Sequence, residues 1–173
     1  MKERLNALEV ALNNELREYE FYKTHARRTN NPVGKAMFDQ IAAEEREHHE
    51  RLKQLHARWV NDEKWPETVP LKVENTLVGD ILTNVLNKVA TEPAWGDADD
   101  LQAIRMAIDF EEQGAAYYAR LRDIVSDARE KAFFDLMANI EHEHYVSLKE
   151  TEEYFVDPAG WFMRTEKTGL DGA

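Results

Sequence analysis

The sequence contains no cysteine, which excludes a disulfide framework, a thiolate metal site and a cysteine nucleophile. No apolar run approaches the roughly 20 residues of a membrane span, and the charged residues 1–6 do not resemble a signal peptide. Positive charge is in deficit: 22 Lys and Arg face 34 Asp and Glu, a net charge of −12 that disfavours nucleic acid and anionic membranes as partners. We therefore expect a soluble, cytoplasmic, single-domain protein.

Glycine and proline are also scarce, at seven and five of 173 residues, and apolar residues recur at helical spacing in four long stretches. Asn31-Pro32 predicts the start of the second helix, the acidic residues 97–100 the start of the third, and Ser126-Asp127 the start of the fourth. The buried stripes are predicted to contain Leu5, Leu8, Leu12, Tyr19, Tyr22 and Ala26; Phe38, Ile41, Leu52 and Leu55; Leu101, Ile104, Ile108 and Tyr118; and Phe134, Met137 and Leu148. This pattern indicates an all-α four-helix bundle.

Two segments depart from the helical pattern. Residues 59–97, which contain Pro66, Pro70 and Pro93, predict a long crossover with one short helix within residues 78–89. Residues 155–173 predict a non-helical C-terminal tail whose aromatic side chains pack on the bundle. The expected organisation is therefore a bundle over residues 1–154 and a packed tail over residues 155–173.

The bundle is also predicted to be an internal duplication. An offset of 96 residues gives 12 identities over the 39 pairs that begin at residue 15, where chance would give about two or three. Among the matched pairs are Glu15 with Glu111, Tyr22 with Tyr118, Glu45 with Glu141, and His48 with His144. Because the matches include polar residues, we interpret the chain as a duplicated helical hairpin.

Six polar side chains interrupt the apolar stripes at mid-length. They are Glu15, Glu45, His48, Glu111, Glu141 and His144. Burying four carboxylates together is costly, and no lysine or arginine shares their stripe positions at that level. Two divalent cations would balance the four carboxylates, and a Glu and a His three residues apart lie on one helical face. The pattern predicts a dinuclear site for iron or manganese, with zinc as an alternative.

With these residues the chain resembles the rubrerythrins, a branch of the ferritin-like superfamily whose bundles hold two iron ions. The first and third helices carry Glu15-x-x-Glu18-x-x-Phe21-Tyr22 and Glu111-x-x-Gly114-x-x-Tyr117-Tyr118. The second and fourth carry Ala42-Ala43-Glu44-Glu45-Arg46-Glu47-His48 and Ile140-Glu141-His142-Glu143-His144. The resemblance implies that Glu45 and Glu141 bridge the ions and that the other four ligands are terminal. It also implies that Tyr22 and Tyr118 donate hydrogen bonds to the carboxylates.

The sequence departs from that family in two ways. Many rubrerythrins append a cysteine-ligated rubredoxin domain, which these residues cannot form. The family also carries an extra glutamate one turn beyond the ligand on the third helix, where Gly114 stands here. Glu18 offers the mirror-image carboxylate on the first helix and is a candidate seventh ligand.

These observations favour a di-iron oxidoreductase that reduces hydrogen peroxide or dioxygen. The six predicted ligands, together with Tyr22 and Tyr118, would be its catalytic residues. Because the chain holds no second redox centre, a separate donor such as a rubredoxin-type protein would supply electrons, and we expect a homodimer. Two alternatives stay open at this point: a ferroxidase that stores or delivers iron, and a metal-free helical adaptor that uses its aromatic tail.

Overall fold

A computed structural model describes residues 2–62, 81–89 and 95–170 of the chain. The described residues form six helices and contain no strand, which confirms the predicted all-α fold. The helices are α1 (Lys2–Arg28), α2 (Pro32–Asp62), α3 (Ile81–Val89), α4 (Ala98–Ile124), α5 (Ala128–Val156) and α6 (Pro158–Leu170). Within these ranges, none of the helices combines the length and the apolarity needed to cross a bilayer.

Short polar side chains cap the N-termini of three of the long helices at the predicted positions. The Asn31 side chain accepts hydrogen bonds from the backbone of Val33 and Gly34 at 2.9 and 3.0 Å, and α2 begins at the next residue. Asp97 and Asp100 form a reciprocal capping box at the start of α4. The Asp127 carboxylate accepts from two backbone amides at the start of α5. These local contacts satisfy amides that have no partner inside their helix.

Two antiparallel hairpins, α1 with α2 and α4 with α5, make most of the contacts of the bundle. Two apolar clusters lie at different levels along these helices. One cluster is centred on residues such as Tyr22, Phe38 and Ile104, and the other on residues such as Leu8, Leu52 and Phe134. On each long helix the predicted polar residues fall between the two clusters. The bundle therefore encloses a polar layer between two hydrophobic cores.

The crossover begins later than predicted. α2 continues through Asp62, three residues past the start of the crossover that was predicted at about residue 59. The predicted short helix is present as α3, which buries Ile81, Leu82 and Val85 and packs against α2 and α5. The three prolines that suggested the crossover lie outside the described residues.

The expectation of a non-helical tail is wrong, because residues 158–170 form α6. The Asp157 carboxylate accepts a hydrogen bond from the backbone of Gly160 at 2.9 Å, and Pro158 occupies the first helical position. Asp-Pro therefore starts a helix here instead of breaking one, because an N-cap acceptor followed by proline suits a first turn. Trp161 is buried against Tyr154, with ring centroids 5.7 Å apart, so α6 packs on the bundle.

Candidate metal centre

The structure brings all six predicted ligand residues into one buried layer. α1, α2, α4 and α5 each contribute one glutamate, and α2 and α5 each add a histidine one turn further on. The four glutamates are fully buried, and the exposed fractions of His48 and His144 are only 7% and 1%. Charged groups of this kind rarely lie in a protein interior unless other groups compensate them.

The six side chains form two overlapping groups, in each of which four ligand atoms lie within 4.8 Å of one another. One group contains Glu15, Glu45, His48 and Glu141, and the other contains Glu45, Glu111, Glu141 and His144. Glu45 and Glu141 belong to both groups, whereas each of the other four residues belongs to one. Two positions that share two carboxylates suit a pair of adjacent cations.

Both histidines turn Nδ1 toward the carboxylates. Nδ1 of His48 lies 3.3 Å from Glu45 and 3.4 Å from Glu15. Nδ1 of His144 lies 2.9 Å from Glu45 and 3.5 Å from Glu111. The two imidazole rings face each other with centroids 5.9 Å apart. One nitrogen of each ring is therefore available, together with carboxylate oxygens, as a ligand to a cation between them.

Tyr22 and Tyr118 connect the two halves of the layer. The Tyr22 hydroxyl, on α1, donates a short hydrogen bond to Glu111 on α4. The Tyr118 hydroxyl, on α4, donates a short hydrogen bond to Glu15 on α1. Each tyrosine hydroxyl therefore binds one oxygen of a glutamate in the other hairpin, and the second oxygen of that glutamate is not bound by the tyrosine.

Several of the remaining ligand atoms have no hydrogen-bond partner among the described residues. Both carboxylate oxygens of Glu141 are such atoms. Oε2 of Glu15, Oε1 of Glu45, Oε2 of Glu111 and Nδ1 of His144 also lack a well-aligned hydrogen bond, although each lies 2.9–3.5 Å from an imidazole nitrogen or a carboxylate oxygen of the layer. An unpartnered buried oxygen or nitrogen costs about 1–3 kcal/mol, and all of these atoms converge on one layer. Carboxylate oxygen and imidazole nitrogen are ligands that iron, manganese and zinc accept. The residues present therefore fit a dinuclear metal centre.

Ionisation in this layer is strongly perturbed. Burial, with the Glu45 carboxylate adding to it, raises the pKa of Glu15 to about 7, and the same causes raise the pKa of Glu141 well above its usual range. Burial alone would also raise the pKa of Glu45, but the two imidazoles outweigh it and lower that pKa. Burial opposes protonation of His48, yet the Glu45 and Glu15 carboxylates raise its pKa to about 10. Protons thus take the place of cations when no metal is bound.

Glu18 lies beside the six residues but belongs to neither group of four. Its side chain is 9% exposed, and burial, followed by repulsion from Glu45 and Glu111, raises its pKa. At the matching position on α4, a Cβ on Gly114 would lie 2.8 Å from Oε2 of Glu141. The centre is therefore flanked by a carboxylate on α1 and by bare backbone on α4.

Sequence reasoning missed one contact to the site. Oε2 of Glu44 accepts a hydrogen bond from Nε2 of His144 at 2.8 Å, across the α2–α5 interface. The duplicate position is Ile140, and both carboxylate contacts of His48 are made through Nδ1. The only sequence signal for this contact was a second glutamate, Glu44, directly before the predicted ligand Glu45. That signal did not identify His144 as the residue that Glu44 meets on α5.

Fold and site together define a ferritin-like helical bundle of the di-iron carboxylate class. Residues 6–152 match the family model described as rubrerythrin, and the chain therefore belongs to the rubrerythrin family. Among solved structures, a hypothetical protein from Pyrococcus furiosus has a similar fold, with a TM-score of 0.63 and 24% sequence identity over 88% of this chain and 90% of that chain. No curated protein matches the chain by sequence.

Proposed function

We propose that the protein is a di-iron oxidoreductase that reduces hydrogen peroxide or dioxygen with electrons from a separate donor protein. The observation that carries this proposal is the pair of shared carboxylates, since Glu45 and Glu141 each belong to both groups of potential ligands. Membership of the rubrerythrin family supports the same chemistry.

Glu15, Glu45, His48, Glu111, Glu141 and His144 would hold the two iron ions, with Glu45 and Glu141 between them. A bound ferrous pair supplies two electrons at one place, which matches the two-electron reduction of a peroxide. The overall reaction consumes hydrogen peroxide, two electrons and two protons and yields two molecules of water. The chain contains no cysteine for an additional iron–sulfur centre, so a donor such as a rubredoxin-type protein would return the electrons.

The side chains around the predicted ligands would hold and protect the reactive layer. Tyr22 and Tyr118 donate to Glu111 and Glu15, which restricts the orientation of these two carboxylates. The apolar clusters above and below the layer keep bulk water from reaching it along the bundle axis. Burial, followed by repulsion from Glu45, Glu111 and Glu15, raises the pKa of Glu18, which is a candidate seventh ligand.

The direct test is anaerobic loading with ferrous iron followed by rapid mixing with oxidant. We expect about two ferrous ions per chain, and their oxidation should be faster with hydrogen peroxide than with dioxygen. The opposite order, together with uptake of many further iron atoms per chain, would favour a ferroxidase that stores iron. A protein purified without chelator that contains no metal and binds none would favour the adaptor.

Glu141→Gln tests the ligand assignment. Glutamine keeps the size of the side chain but removes the charge of a carboxylate shared by both positions, so we expect the loss of at least one bound ion. Elemental analysis after loading and desalting measures the change. Glu47→Gln is the matched control, because Glu47 is exposed and pairs with Arg51 on the outside of α2. Unchanged stoichiometry in the Glu141 variant would contradict the assignment.

A further inference from the structure

A groove of about 840 Å³ lies between α1 and α4. The rings of Phe21 and Phe110, which both line the groove, meet edge to face with centroids 5.0 Å apart. The hydroxyl of Tyr117, another lining residue, donates a hydrogen bond to the backbone oxygen of Ala7 at 3.1 Å. These contacts join the two helices beside the groove, and exposed residues such as Leu16 and Ala116 form its rim.

The floor of the groove reaches the candidate metal centre. Glu18 and Gly114, both buried, line the groove. Because a Cβ on Gly114 would lie 2.8 Å from Oε2 of Glu141 and 3.3 Å from its Cδ, no side chain of residue 114 separates the groove from that carboxylate. The α4 side of the floor is therefore the backbone itself, in contact with a predicted shared ligand.

The walls are suited to a molecule with an apolar body. Phe21, Phe110, Tyr117 and the 44%-exposed Leu16 supply aromatic and aliphatic surface on both helices. Polar and charged side chains also line the groove, among them Arg17, Glu20, His25 and Arg120. Pockets that bind organic molecules typically have volumes of about 300–1,000 Å³ and mainly apolar linings. Hydrogen peroxide and dioxygen are far smaller than this groove, so their passage alone does not account for its size or its aromatic lining.

We propose that the groove binds organic hydroperoxides, with the apolar tail against the aromatic walls and the hydroperoxide group over Gly114. This inference rests on the proposed oxidoreductase function and extends its substrates. The O–O bond of ROOH breaks, and two electrons from the separate donor together with two protons convert it to ROH and water. The oxidised partner is the donor protein, as in the reduction of hydrogen peroxide.

The experiment compares cumene hydroperoxide with hydrogen peroxide as oxidants of the ferrous-loaded protein, and quantifies the product 2-phenyl-2-propanol. Ala116→Trp fills the groove from its rim without altering a predicted ligand, and Ala132→Trp places the same side chain on the exposed face of α5 as a control. We expect Ala116→Trp to slow the oxidation of the iron by cumene hydroperoxide about tenfold or more, while the rate with hydrogen peroxide changes by less than about threefold. The control should leave both rates unchanged.

A binding measurement provides a readout that is independent of turnover. Zinc has no redox chemistry, so zinc-loaded protein can be titrated calorimetrically with 2-phenyl-2-propanol. The wild type and Ala132→Trp should bind it with the same affinity, and Ala116→Trp should bind it about tenfold more weakly. Equal affinity in all three proteins would overturn the inference.

The outcomes also separate this inference from the function on which it rests. If hydrogen peroxide oxidises the iron and cumene hydroperoxide does not, the inference is wrong and the proposed function stands. If neither of these peroxides nor dioxygen oxidises the iron, the proposed function itself is wrong. Equal slowing of both oxidants by Ala116→Trp would make the groove a common route for any oxidant and would overturn specific binding of the organic tail.

Discussion

Glu44 makes the two predicted metal positions chemically different. Its carboxylate accepts from Nε2 of His144 at 2.8 Å, whereas the duplicate residue, Ile140, cannot do so for His48. A carboxylate on the outer nitrogen of an imidazole fixes the ring and makes the inner nitrogen a stronger donor. The position next to His144 should therefore bind metal more tightly than the position next to His48.

Replacing Glu44 with glutamine should weaken one metal position selectively. Loss of such an outer partner typically costs about 10–100-fold in affinity, so the tighter step of an anaerobic cobalt or ferrous titration should weaken by about that factor. The weaker step should change little. Glu47→Gln serves again as control, because its side chain lies on the solvent side of α2. Two equally weakened steps would contradict an asymmetric role for Glu44.

The Tyr118 hydroxyl donates a hydrogen bond to one oxygen of the fully buried Glu15 carboxylate. Tyr118→Phe keeps the ring and removes the hydrogen bond to Glu15, which should destabilise the protein by about 1–3 kcal/mol. Urea unfolding measures this loss. Tyr117→Phe is the neighbouring control, because the hydroxyl of that half-buried residue bonds to a backbone oxygen outside the site. A smaller loss for Tyr118→Phe than for Tyr117→Phe would contradict the prediction.

At the scale of elements, the signals that were interpreted correctly are local. Asn31, Asp97 and Asp127 cap the helices that follow them, and capping depends on residues two or three positions away. Asp157-Pro158 is the same kind of signal, but the sequence analysis assigned the residues that follow it to a non-helical tail. The Glu44–His144 contact could not be predicted from spacing, since it depends on how two hairpins pack against each other.

The start of α6 provides a test at this scale. Asp157→Ala removes the acceptor for the Gly160 amide and should cost about 1 kcal/mol, with faster amide exchange in the first turn of α6. Asp157→Asn should retain most of the stability, because asparagine also caps helices. Thermal unfolding and hydrogen exchange would measure both variants. Equal losses in the two variants would exclude capping as the role of Asp157.

At the scale of the whole molecule, the buried carboxylate layer makes the folding stability depend on pH and on metal binding. In metal-free protein the pKa of Glu15 is raised from 4.5 to about 7, and that of His48 from 6.5 to about 10. The folded state thus binds these protons more tightly than the unfolded state, and the stability that they contribute is lost as pH rises. Metals compete with the same protons, so bound metal should stabilise the protein more at high pH.

The expected result is a melting temperature of the chelator-treated protein that falls by several degrees between pH 6 and pH 9. The melting temperature of the metal-loaded protein should fall less over the same range. The difference in melting temperature between metal-loaded and metal-free protein should therefore widen as pH rises. Circular dichroism melts at both pH values measure it. Glu15→Gln, which removes one of the titrating groups, should flatten the metal-free profile. A metal-free melting temperature that rises toward pH 9 would contradict this account.

The reciprocal tyrosine bonds have a consequence for how such a chain can arise. Tyr22 belongs to the first hairpin and finds its acceptor, Glu111, in the second, while Tyr118 of the second hairpin finds Glu15 in the first. One hairpin by itself therefore holds a tyrosine donor and a glutamate acceptor that do not bond to each other, and only half of the predicted ligands. The smallest unit that can assemble this centre is therefore two hairpins, and a chain that held a single such hairpin could complete the centre only as a symmetric pair.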